Sequence, residues 1–77
     1  MISEKKLREM LIKDLRNETF GECLDDVEIV ELNDVNFEAV ASYSAEVLGK
    51  EVMFNIIVKG KLVNEDEYEV EDLYIEL

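Results

Sequence analysis

Two hydrophobic periods divide the chain. Behind Ser3, a good helix N-cap, the positions Leu7, Met10, Leu11, Asp14 and Leu15 fall at helical spacing, and four of the five are apolar. Glu4–Arg8 and Glu9–Lys13 are i,i+4 pairs in the favourable order, and Lys13 and Arg16 suit the negative end of a helix dipole. The pattern predicts a helix over residues 3–17, broken at Gly21.

From Asp26 the period becomes two. Phe37, Ala39, Ala41, Tyr43, Ala45 and Val47 alternate with polar residues, and Val52, Phe54, Ile56, Val58 and Leu62 do the same. A hairpin turn with Gly49 and Lys50 at its centre would set Leu48 against Glu51 and Val47 against Val52. The same register sets Ala45 against Phe54, Tyr43 against Ile56, Ala41 against Val58 and Phe37 against Leu62. Ala39 then meets Gly60, a shallow place for the helix to approach. Small residues face large ones in this arrangement.

A last strand over 67–77 changes parity between Tyr68 and Val70 on one side and Leu73, Ile75 and Leu77 on the other. One bulge near Glu71-Asp72 reconciles them, with Leu62 facing Tyr68, Val58 facing Leu73 and Ile56 facing Ile75. A first strand over 26–32 carries Val27, Ile29, Val30 and Leu32 with a similar slip, and Asn33-Asp34-Val35-Asn36 is its turn. The expected fold is α+β in one domain, residues 1–77, with the N-terminal helix packed on one face of a four-stranded antiparallel meander. This order resembles the cystatin-like arrangement of a sheet wrapped around a helix. No inhibitor-loop motif accompanies it, and the resemblance implies topology alone.

Charge changes the picture more than any motif. Twenty Asp and Glu oppose eight Lys and Arg, a net charge of −12 on 77 residues, beyond the magnitude of about 2–8 that suits a small soluble domain. Residues 1–16 hold five basic and three acidic side chains, net +2; the remainder holds three and seventeen, net −14. Binding to nucleic-acid phosphates or to an anionic membrane would need the opposite sign. A basic protein surface remains as the expected partner. The apolar runs never exceed three residues, so neither a signal peptide nor a membrane span is expected, and the compartment expected is the cytoplasm.

Catalytic chemistry finds little here. Histidine is absent, which removes the commonest general base and the Ser-His and Cys-His dyads. Cys23, the single cysteine, has acidic neighbours that disfavour its thiolate, and it reads as a packing residue. Gly21, Gly49 and Gly60 are isolated, so no phosphate-cradling loop forms. Asp25-Asp26 and Glu65-Asp66-Glu67 lack calcium-loop spacing. No enzyme activity, cofactor or metal is expected.

Two surfaces stand out. Glu65, Asp66, Glu67, Glu69, Glu71 and Asp72 form the densest acidic run, and alternation would place Glu67, Glu69 and Glu71 on one strand face at about 6.6–6.8 Å intervals. That interval resembles the phosphate repeat of a nucleic-acid strand and would suit a groove lined with Lys and Arg. Such a run also keeps an edge strand from aggregating. On the sheet face away from the helix, Val40, Met53 and Ile57 stand among Glu38, Ser42, Ser44, Glu46, Asn55, Lys59 and Lys61, a mixed face with an apolar centre. The functional expectation is a non-catalytic acidic module that inhibits a partner by occupying its basic, nucleic-acid-binding surface. Phage anti-restriction and anti-CRISPR proteins and immunity proteins act in this manner. The alternative is an assembly subunit, a homodimer for instance, self-associating through Val40, Met53 and Ile57 or through a sheet edge.

Overall fold

The computed structural model describes residues 2–77. Helix α1 spans Glu4–Arg16, and a single 3-10 turn at Gly21–Cys23 leads into four strands: β1 Leu24–Leu32, β2 Asn36–Val47, β3 Lys50–Asn64 and β4 Glu67–Glu76. The strands form one antiparallel sheet in the order β1-β2-β3-β4. The expected helix on a four-stranded meander is thus the observed architecture, with β1 beginning two residues earlier than the apolar pattern suggests.

The helix starts where its cap chemistry directs. Ser3 Oγ accepts a hydrogen bond from the Lys6 amide at 3.1 Å, and Asn17 closes the other end. Leu7 and Leu11 are buried, and they pack with Val27, Ala39, Ala41 and Val58 into the core. Gly21 folds back on the helix end so closely that a Cβ there would lie 2.1 Å from the Arg16 carbonyl oxygen. Only glycine fits that approach. The turn after β1 is built on Asn33, whose Oδ1 accepts the amides of Val35 and Asn36 at 2.9 and 2.8 Å.

The β2–β3 register differs from the expected one. Val47 pairs with Lys50, Ala45 with Val52, Tyr43 with Phe54, Ala41 with Ile56, Ala39 with Val58 and Phe37 with Gly60. The loop is therefore Leu48-Gly49, with φ of 51° and 78°, the type I′ pattern of two positive φ values. Val47 and Val52 are not partners. Every expected pair is displaced by two residues, which keeps each side chain on its expected face. Two contacts explain the choice. The Tyr43 and Phe54 rings stack at 5.1 Å with 4° between planes, and the Phe37 ring occupies the space over Gly60.

The β3–β4 register is the expected one. Leu62 faces Tyr68, Val58 faces Leu73 and Ile56 faces Ile75, and the bulge falls at Glu71, between the pairs Lys59–Asp72 and Gly60–Val70. Strand β1 carries its slips at Asp25 and Val30.

Candidate functional site: an acidic sheet face

The register assigns every strand residue to the helix-covered face or to the outer one. The outer face receives Asp26, Glu28 and Glu31 from β1, Glu38 and Glu46 from β2, Glu51 from β3, and Glu69, Asp72 and Glu76 from β4. Lys59 and Lys61 are the cations at outer positions of the same ladders. The face expected to be mixed is therefore predominantly acidic. Reading only the two central strands hid this, because most of its carboxylates stand on β1 and β4.

Two cross-strand pairs oppose like charges directly: Glu31 with Glu38, and Glu46 with Glu51. Such pairs destabilise a sheet, where opposite charges would contribute about 0.2–1 kcal/mol. Beside the first pair lies a shallow depression of about 310 Å³, lined by Glu31, Glu38, Glu71, Lys59, Asn36, Phe37 and Gly60. Lys59 Nζ lies 3.6 Å from Glu38 there. It holds one ammonium among three carboxylates.

The acidic run at the β3–β4 turn is less uniform than its sequence. Asp66 bonds Lys6 Nζ at 2.8 Å, and that hydrogen bond raises the lysine pKa. Glu67 accepts from Asn64 Nδ2 at 3.2 Å, and Glu69 lies 3.7 Å from Lys61 Nζ. Glu65 stands with Asp66 in the turn itself. The bulge at Glu71 interrupts the pairing with β3, while Glu67 and Glu69 stand opposite Asn64 and Lys61. Asp72 comes opposite Lys59.

The apolar centre of the outer face is small. Val40 and Ile57 are direct partners, with Tyr74 next in the row, and Ile57 is buried by its neighbours. Met53, 68% exposed, stands opposite Ser44 two rows away, with Ser42 and Asn55 between. The structure does not bring Val40, Met53 and Ile57 into one patch.

At the β1 edge, Arg8 reaches down from the helix. Its Nε donates to the Val27 carbonyl at 2.8 Å and its Nη2 to Asp26 Oδ1 at 2.6 Å, and this bond holds the Asp26 carboxyl below its usual range. On the covered face, the Tyr68 hydroxyl donates to Asp14 of the helix. Burial, then the Asp14 carboxylate, push the Tyr68 phenol well above the ordinary tyrosine range. Among the described residues, no group of three or more His, Cys, Asp or Glu side chains could hold a metal ion, and no helix is long and apolar enough to cross a membrane. Cys23 is a half-buried free thiol in the 3-10 turn.

No protein-family model, curated protein or solved structure matches the chain.

Proposed function

We propose that the chain is a non-catalytic binding module whose acidic outer sheet face occupies a basic, nucleic-acid-binding surface of a partner protein, in the manner of phage anti-restriction or anti-CRISPR inhibitors and of immunity proteins. The observation that carries this reading is the directly opposed pairs Glu31–Glu38 and Glu46–Glu51. A sheet needing charge only for solubility would alternate signs across its strands and be more stable for it. Charge kept at a cost to stability is what a surface serving binding would carry, and it supports this reading. The partner's Lys and Arg would relieve the repulsion, so association would gain both attraction and release of that strain. The acidic run Glu65, Asp66, Glu67, Glu69, Glu71 and Asp72 extends the face at one end of β4.

The test begins with immobilised chain, host lysate and identification of what is retained. The retained protein is then titrated in the presence of duplex DNA or RNA and at rising salt. Competition by nucleic acid and a steep loss of affinity with salt are expected. Substituting Glu28, Glu31 and Glu38 by Gln should weaken binding by about 2–5 kcal/mol where these charges are desolvated at the contact. Equal affinity of that variant, with no competition by nucleic acid, would refute the reading.

A further inference from the structure

We infer that the covered side of the sheet is completed by a second copy of this chain, packed on the part of β3 and β4 that the helix leaves bare. Helix α1 lies over β1, and its buried Leu7 and Leu11 reach only to the middle of the sheet. Beyond it Val70, Leu73 and Ile75 of β4 are 47%, 51% and 61% exposed on the same face, beside the half-buried Phe54 and Ile56 of β3. A groove of about 340 Å³ runs between helix and strip, floored by Tyr43, Ile56, Val70 and Leu73 and bordered by Leu15, with the Asp14 and Glu18 carboxylates at its rim. The strip carries no charge, although β4 holds five carboxylates and no cation.

Two features select a second copy as the occupant. The first is shape. A helix on one half of a sheet face makes a step about one layer, or roughly 10 Å, high. Two such steps related by a two-fold axis fit together, each bare half against the other, so that each helix comes to lie along the partner's β4. That contact would also cover the unpaired β4 edge, which a lone chain leaves open. The second is area. Half-exposed aliphatic side chains offer on the order of 50–100 Å² each, so the strip supplies roughly 300–500 Å² of apolar surface per copy. With the polar rim this reaches the lower range of specific interfaces, about 1,000–1,200 Å² in total. The dimer is therefore expected to be reversible. It is independent of the proposed partner, which the outer face would meet.

Sedimentation equilibrium of the full chain across the micromolar to low millimolar range tests this. A reversible shift from 8.9 kDa towards twice that mass is expected. The double substitution Leu73→Ser and Ile75→Ser removes surface already half exposed, so the monomer should remain folded by circular dichroism while dimerisation weakens at least about tenfold. Met53→Ser, on the outer face, should leave it unchanged. For the unsubstituted chain, mixed-label nuclear Overhauser spectra should connect Leu73 and Ile75 methyls of one copy with those of another. A monomer throughout the range overturns the inference, as does a dimer indifferent to the Leu73 and Ile75 changes or Overhauser contacts confined to other faces.

Discussion

Gly60 stands opposite Phe37 in the central strand pair, and the Phe37 ring fills the place where a side chain at residue 60 would begin. A Cβ there would lie 2.8 Å from the ring and 2.4 Å from the Glu69 carbonyl oxygen. The ring in turn meets Tyr68 edge-on at 5.6 Å, so it cannot move without disturbing β4. Gly60→Ala is therefore expected to destabilise by about 1–3 kcal/mol through overpacking. For a domain of this size that is a fall of roughly 4–20 °C in melting temperature. Calorimetry of the two proteins checks it, and an unchanged midpoint would mean that the ring and β4 yield freely.

The hairpin loop places Leu48 at φ 51° with its side chain 98% exposed. A leucine in the left-handed region costs roughly 1–2 kcal/mol and here gains no burial. Asn-Gly is the preferred pair for this turn. Leu48→Asn should therefore raise stability by about 0.5–1 kcal/mol, read as a higher urea midpoint at constant m value. Gly49→Ala, at φ 78°, should lower it.

That loop is also where the sequence misleads. Gly49 suggests a turn with glycine in the first central position, and nothing local announces that Leu48 will accept a positive φ. The choice is made by long-range contacts, namely the Tyr43–Phe54 stack and Phe37 over Gly60. A slide of two residues preserves parity, so the core face was legible although the partners were not. The β3–β4 register was legible because a change of parity between Val70 and Leu73 can be absorbed only by a bulge, and the bulge has one natural place. The helix was legible because Ser3 and its apolar stripe are local signals. The acidic face was not, since the like-charge pairs appear only once the true register sets Glu46 against Glu51 and β1 brings Glu31 against Glu38.

Tyr68 and Tyr43 link stability to alkaline pH. Both phenols are raised above the ordinary value of 10.0, Tyr43 by burial and Tyr68 by burial and Asp14. The folded chain then holds protons that the unfolded chain releases near pH 10. Their contribution is fully present below that pH and is lost as pH rises towards the folded values. The Lys6 pKa is raised from 10.5 as well, so its contribution fades in the same direction. Stability should fall steeply above pH 10, and absorbance titration should show Tyr43 and Tyr68 ionising only as the fold opens. Tyr68→Phe should flatten the slope while costing some stability at neutral pH. An equal slope in the variant would assign the alkaline transition to other groups.

The opposed glutamates give the most direct separation of stability from binding. Glu46 and Glu51 face each other next to the hairpin loop, in a two-stranded stretch beyond the reach of β1 and β4. Glu31 and Glu38 face each other across β1 and β2. Reversing one member of each pair, Glu31→Lys or Glu46→Lys, replaces repulsion by attraction and should stabilise by about 0.2–1 kcal/mol. Both residues are at the surface, so the gain should shrink with salt as the Debye length falls from about 10 Å at 0.1 M to 3 Å at 1 M. The parent, relieved of repulsion by the same screening, should melt at higher temperature as NaCl rises. Binding should respond in the opposite sense, because the reversed charge would meet the partner's cations and lower affinity while the fold grows firmer. A variant that is more stable yet binds less well would mark the face as held for recognition. One that is more stable and binds equally would leave the acidity a matter of solubility. A fall in stability would show that these pairs are not opposed in solution, and the register on which the acidic face rests would be wrong.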